Sequence, residues 1–159
     1  MSIQVGDRLP DVVLQRIGDG VESVDTRTLF GDTSVVIFAV PGAFTPTCSE
    51  RHLPGFIEHY QQFHDKGIEV ACVAVNDPFV MQAWGQSQDV PDGLMMLSDG
   101  NADFARALGL ELDASAYGMG VRAKRFAIYA EQGVVKQLNV EAPGEFRVSS
   151  AEHVLSQIA

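Results

Sequence analysis

Cysteine is scarce in this chain. Only Cys48 and Cys72 occur among 159 residues, too far apart for a CxxC pair and too few for a four-cysteine zinc site, so a disulfide scaffold and a dithiol redox motif are excluded. Positive charge is also short. Eleven Lys and Arg stand against 21 Asp and Glu, a net charge of −10 that repels phosphate backbones and anionic lipid surfaces. Aromatic residues are 8% of the chain and do not alternate with basic clusters, so no base-stacking platform is written here and nucleic acid is not an expected partner. No apolar run exceeds the length of Val35–Val40, far below what a bilayer requires, so no membrane helix is expected. Met1–Arg8 lacks a basic start followed by an apolar core, which reads as no secretory signal and predicts a cytoplasmic protein.

What is present is globular in proportion: 46% hydrophobic and 20% charged residues, with a mean hydropathy of +0.05. Without internal repeats or a Pro/Ser-rich linker, residues 1–159 read as a single domain. Asp11–Val24, turning at Gly18-Asp19-Gly20, predicts an N-terminal hairpin, and the continuous β-branched stretch Ser34–Val40 predicts a central strand buried on both faces. From Thr45 to about Lys66 the pattern is helical, with Thr45 as N-cap, Pro46 at the first helical position, Cys48 in the first turn and a kink near Pro54-Gly55. There follow a strand at Ile68–Val75, a helix from Asp77-Pro78 to about Ser87, a strand at Leu94–Leu97 and a helix at Asn101–Leu108. A hairpin of Arg125–Ala130 with Val134–Val140 and a closing helix at Ser149–Ile158 complete the chain. Strands alternating with helices, ending in a hairpin, indicate an α/β fold: a central mixed β-sheet with helices on both faces, compatible with a thioredoxin-like core.

Cys48 is the candidate for chemistry. A thiol reacts as its thiolate, and the unpaired N–H groups and positive dipole end of a helix start favour that anion. Unpaired cysteines are commonly small buried hydrophobes, but Thr45, Pro46, Thr47, Ser49, Glu50 and Arg51 are not written like a core segment. His52 follows Cys48 by four residues and shares its helix face, which would suit a hydrolase base or a second metal ligand. No third residue is apparent to orient the imidazole and no ligand cluster forms with His59, His64 or His153, so His52 is read as a surface or supporting side chain and no metal is expected. Arg122, Lys124 and Arg125 lie close together, and composition alone does not choose between them.

Pro41-Gly42-Ala43-Phe44-Thr45-Pro46-Thr47-Cys48 resembles the peroxiredoxin PxxxTxxC motif, and the wider PGAFTPTCSERHLPGF resembles the peroxiredoxin-5 (type II) subfamily. The similarity extends through Val73-Ala74-Val75-Asn76-Asp77, Trp84-Gly85 and Lys124-Arg125-Phe126, nearly the whole chain. The resemblance implies a thioredoxin fold and reduction of hydrogen peroxide or organic hydroperoxides. It implies Cys48 as the attacking sulfur, passing through a sulfenic acid, with Pro41 shielding the thiolate, Thr45 hydrogen-bonding the peroxide and Arg125 as the fixed cation. It selects Arg125, directly before the late strand, ahead of Arg122. It also suggests a homodimer, to which Phe44 or Phe79 would contribute.

Cys72, in the apolar stretch Ile68–Val75, reads as a buried structural thiol. Some family members carry a resolving cysteine near the C-terminus, whereas Gly144–Ser150 holds none. A one-cysteine cycle is therefore expected, with an external thiol attacking the sulfenic acid. Glutathione with glutaredoxin is the reductant suggested by subfamily members of like cysteine content, thioredoxin is the alternative, and no prosthetic cofactor is implied. Excess peroxide should carry Cys48 to the sulfinic acid. The rival readings are a peroxide-sensing or chaperone-like redox protein with little turnover, and a cysteine hydrolase using His52.

Overall fold

The computed structural model describes residues 2–158. Strands β1 (Val13–Ile17) and β2 (Val21–Asp25) form the N-terminal hairpin, pairing antiparallel from Val13 with Asp25 to Ile17 with Val21. Asp25 then caps a short helix, α1 (Thr26–Phe30), its carboxylate accepting from the Thr28 N–H at 2.8 Å. The chain continues through β3 (Ser34–Val40), a helical segment leading into α2 (Leu53–Asp65), β4 (Ile68–Ala74), α3 (Pro78–Ser87), β5 (Met95–Ser98) and α4 (Asp103–Leu108). A two-stranded ribbon follows, β6 (Glu111–Asp113) with β7 (Val121–Ala123). Then come β8 (Phe126–Glu131), β9 (Val134–Val140) and α5 (Ala151–Ile158).

The main sheet has seven strands in the order β2-β1-β5-β4-β3-β8-β9. Its centre is parallel, because α2 and α3 serve as crossovers from β3 to β4 and from β4 to β5. Its flanks are antiparallel hairpins. Gln132 and Gly133, with φ of 50° and 79°, form the two-residue turn between β8 and β9, the left-handed geometry whose twist suits a tight hairpin. This is the thioredoxin-like mixed sheet that the order of elements predicted.

Alternation along the strands divides the core into two layers. Val35, Ile37, Ala39, Phe126, Ile128 and Ala130 pack on one face with α1 and α4, through Phe30, Phe104 and Leu108. Val36, Phe38, Val40, Cys72, Ala127 and Tyr129 pack on the other, under Leu53, Phe56 and Phe63 of α2, Met81 and Trp84 of α3, and Val154 of α5. Both faces of β3 are covered, which is why that strand reads as an unbroken apolar run.

The segment before α2 departs from the expected regular helix. Pro46 and Thr47 are α-helical, Cys48–His52 is a π-turn, and the α-helix resumes at Leu53, whose N–H bonds to the Cys48 carbonyl. Pro54 has no N–H to offer the Glu50 carbonyl, so widening of the preceding turn accommodates the proline there, one turn ahead of the expected kink at Pro54-Gly55. Asp77 caps α3 by accepting from the Val80 N–H at 2.8 Å, and Ser150 caps α5 by accepting from the His153 N–H at 3.2 Å. Among the described residues, no helix is long and apolar enough to cross a membrane.

Phe56 stacks on Phe38 with ring centroids 4.0 Å apart and planes 2° from parallel, joining α2 to the centre of the sheet. Truncation by Phe56→Ala is expected to cost about 3–5 kcal/mol of unfolding free energy, read from urea denaturation. A loss below about 1 kcal/mol would contradict this account of the layer.

Candidate active site

β3 ends at Val40 and hands the chain to Pro41, from which a loop runs to Cys48. Asn76 fixes this loop from the end of β4, its side-chain oxygen accepting from the Ala43 N–H at 2.9 Å. Phe44 adopts φ 64°, a left-handed conformation that a bulky side chain rarely takes, and its ring is 56% exposed. The Thr45 hydroxyl donates to the Gly42 carbonyl at 2.6 Å, while the Thr45 carbonyl accepts from the Ser49 N–H at 2.9 Å. The expected side-chain N-cap at Thr45 is thus corrected: its proton closes the loop instead, leaving the oxygen's lone pairs as acceptors.

Cys48 is fully buried. The inference from its polar neighbours was wrong in that respect: Glu50 and Arg51 face solvent, while the sulfur joins Val36, Phe38, Leu53 and Cys72 in the core layer under α2. It is nevertheless not in purely apolar surroundings. Arg125, immediately before β8, donates from Nη2 to Cys48 Sγ at 3.1 Å. The other arm, Nη1, lies 2.8 Å from His52 Nδ1. His52 Nε2 lies 2.9 Å from the Ser149 carbonyl, which only accepts, so the ring proton sits on Nε2 and Nδ1 accepts from Arg125.

Burial, reinforced by the Arg125 charge, lowers the His52 pKa to about 3, so the imidazole is neutral at physiological pH. It lies among Phe38, Phe56 and Phe146, with ring centroids 5.0, 5.6 and 5.0 Å away. His52 is therefore a buried supporting group, not a surface one. Its acceptor nitrogen is occupied by Arg125, which leaves it poorly placed as a hydrolytic base. Among the described residues Arg125 has no carboxylate partner. Arg122 is directed elsewhere, to the Met119 carbonyl at 2.8 Å and the Pro41 carbonyl at 3.4 Å.

A cavity of about 280 Å³ opens beside this group, its wall including Pro41, Thr47, Arg51, Lys124, Arg125 and Phe146. A water molecule's share of the liquid is about 30 Å³, so the space admits more than one small molecule. Arg51 and Arg125 approach the Phe146 ring at 4.8 and 5.9 Å. On the inner side, Trp84 Nε1 donates to Ser49 Oγ at 3.0 Å and Gln88 Nε2 to the Ser49 carbonyl at 3.0 Å, tying the π-turn to α3. Cys72 is also fully buried, and burial together with the nearby Cys48 raises its pKa well above the ordinary thiol value. No group of three or more His, Cys, Asp or Glu side chains among the described residues is arranged to hold a metal ion.

The structure thus joins Cys48 directly to Arg125, sets Pro41 and Arg125 on one cavity wall, and engages Thr45 with Gly42. Sequence reasoning did not find Glu141, Ser149 or Phe146. Ser149 was read only as the start of the closing helix, which begins at Ala151.

A family model described as Redoxin matches residues 4–155. The chain is 49% identical to peroxiredoxin-2E-2, chloroplastic, of Oryza sativa subsp. japonica, over 99% of this chain and 73% of the relative. It is 48% identical to peroxiredoxin-2E, chloroplastic, of Arabidopsis thaliana, over 99% and 70%. The crystal structure of reduced Prx3 in complex with hydrogen peroxide from Vibrio vulnificus superposes with a TM-score of 0.95 at 46% identity, covering 99% of both chains. The chain belongs to the peroxiredoxin family. As a peroxiredoxin it is a thiol peroxidase that uses a thiol reductant and needs no prosthetic group. The expected cytoplasmic location is overturned, because relatives this similar are named for an organelle.

The buried neutral His52 carries a consequence for stability. Its folded pKa lies below its unfolded value of 6.5, so its contribution is complete above pH 6.5 and is lost progressively as pH falls toward 3. Between pH 6.5 and 5 this peroxiredoxin should lose about 2 kcal/mol that His52→Asn does not lose, measured by urea unfolding at each pH. Parallel pH profiles for the two proteins would contradict a neutral His52.

Proposed function

We propose that this chain is a type II, peroxiredoxin-5-like enzyme in which Cys48 attacks hydroperoxides beside Arg125 and is regenerated by an external thiol. The observation that carries the proposal is the 3.1 Å contact from Arg125 Nη2 to Cys48 Sγ. A fixed positive charge with an N–H aimed at sulfur stabilises the anion that attacks. The same guanidinium stands where charge develops as the peroxide breaks.

In the proposed step, the Cys48 thiolate attacks the terminal oxygen of ROOH. The S–O bond forms as the O–O bond breaks, sulfur is oxidised by two electrons, and RO⁻ leaves and is protonated to the alcohol, or to water when R is hydrogen. The Thr45 hydroxyl, whose proton is held by Gly42, offers lone pairs to the hydroperoxide O–H. Pro41 lines the approach without donating a proton, so it shields sulfur without competing for it. The peroxide approaches the buried sulfur from the 280 Å³ cavity, whose wall includes Thr47 and Arg125.

Regeneration requires a second thiol. Cys72 is fixed within β4, paired with Phe38 and Met96, and its raised pKa keeps it protonated. We therefore assign reduction to glutathione with glutaredoxin. One thiol attacks the sulfenic acid to give a mixed disulfide and water, and a second releases Cys48 and forms the external disulfide. Exposed Phe44 and Phe79, the latter 64% exposed, support a homodimer as the working form.

Cys48→Ser is expected to abolish peroxide consumption, and Arg125→Met to slow Cys48 oxidation by about 10²–10³-fold, as loss of one preorganised donor does elsewhere. Cys72→Ser should turn over near the wild-type rate with glutathione and glutaredoxin. Coupled assays following peroxide and NADPH consumption check all three. Sustained turnover by Cys48→Ser, or loss of turnover in Cys72→Ser, would contradict the assignment.

A further inference from the structure

A polar chain continues behind the His52 ring to Glu141, which also stands in the cavity wall. The Ser149 carbonyl that fixes the His52 ring belongs to the segment between β9 and α5, and that segment is held by one carboxylate. Glu141 Oε2 accepts from the Arg147 N–H at 2.7 Å, the Ser149 N–H at 2.8 Å and the Ser149 hydroxyl at 2.7 Å. Glu141 is itself only 8% exposed, and its own N–H donates to the Arg125 carbonyl at 3.0 Å. Three donors converging on one oxygen fix a short stretch of backbone far more tightly than a loop's own torsions do. Burial pushes the Glu141 pKa up, but the bonds from Ser149, Arg147 and Val148 outweigh it and hold the carboxylate below its usual range.

We infer that Glu141 is a positioning residue for peroxide reduction: by clamping Arg147–Ser149 it fixes the carbonyl that sets His52, which in turn aims Arg125 at the Cys48 sulfur. The inference rests on the peroxidase reading of Cys48 and Arg125. Its logic is directional. The Ser149 carbonyl requires the proton on His52 Nε2, and this makes Nδ1 an acceptor. An accepting Nδ1 holds Nη1, and because the guanidinium is planar and rigid, fixing Nη1 also fixes Nη2 at 3.1 Å from sulfur. The clamp also sets Phe146, whose ring lies against His52, Arg51 and Arg125. Glu141 touches neither the sulfur nor a reacting oxygen. Its carboxylate acts mainly through Ser149 and His52, with Phe146 as a packing contact beside them.

The test is a double-mutant cycle on the full-length chain. Oxidation of Cys48 by hydrogen peroxide is followed by stopped-flow fluorescence of Trp84, which bonds to Ser49 beside it, in the wild type, Glu141→Gln, His52→Leu and the double variant. Displacements of about 1 Å can cost up to about a hundredfold, so each single variant should slow by about tenfold to a hundredfold. The double variant should be within about threefold of His52→Leu, because the main route from Glu141 to Arg125 is already cut. The oxidation rate should recover in His52→Asn, whose amide oxygen replaces Nδ1 as acceptor for Arg125. Glu141→Gln matching wild type, losses that multiply in the double variant, or no recovery in His52→Asn would overturn the inference. If Glu141→Gln does not fold, Ser149→Ala, which keeps the carbonyl and removes one donor to Glu141, takes its place. Its rate loss must vanish in the His52→Leu background, and an equal loss in both backgrounds overturns the inference. A wild-type protein that does not react with peroxide would overturn the peroxidase reading itself, and this inference with it.

Discussion

One guanidinium carries the arrangement. Arg125 spans a sulfur and an imidazole nitrogen with two arms of the same rigid plane, so neither contact changes without the other. The sheet register delivers it there. Ala39 pairs with Phe126 in the antiparallel β3–β8 ladder, so Arg125 stands one step beyond that pair, at the end of β3 from which the loop to Cys48 departs. A residue on a strand terminus, backed by two packed core layers, is a firmer mount than a loop residue.

Burial makes the contact count and also makes it exacting. An unpaired guanidinium in such a place would be costly, and the interior strengthens whatever partner it finds. The partners here are a sulfur and a neutral imidazole, with no carboxylate among the described residues to quench the charge. A carboxylate in the place of His52 would claim the guanidinium for itself. A neutral ring orients it and leaves its charge facing the sulfur. Cys72 lies in the same core layer without such a donor, and burial keeps its proton on. Of the two thiols, only Cys48 receives a hydrogen bond from Arg125, and at Cys72 burial outweighs the charge of that guanidinium.

Much of this was legible from residues alone, and what was missed follows a pattern. The β-branched run at Ser34–Val40, the Asp77-Pro78 helix start and the hairpin of Arg125–Ala130 with Val134–Val140 are local signals, and each element lies within a residue of its signal. The short helix α1 and the ribbon of β6 with β7 escaped notice because they are too brief to establish a period. Thr45 was misread as a side-chain cap because the competing acceptor, the Gly42 carbonyl, appears only once the loop turns back. Cys48 was expected among polar neighbours, yet the π-turn turns its sulfur inward. The network behind Arg125 was the least readable, since His52 and Ser149 are 97 positions apart and meet through backbone that no composition rule marks.

The central claim is that the sulfur facing the cation, and not the one lacking it, receives the peroxide oxygen. It is tested most directly by exposing the protein to one equivalent of hydrogen peroxide, trapping sulfenic acid with dimedone and locating the adduct by peptide mass spectrometry. The account predicts the adduct on Cys48, none on Cys72, and a strong decrease when Arg125 is replaced by Met. An adduct on Cys72, or an undiminished Cys48 adduct without Arg125 at limiting reaction times, would contradict it.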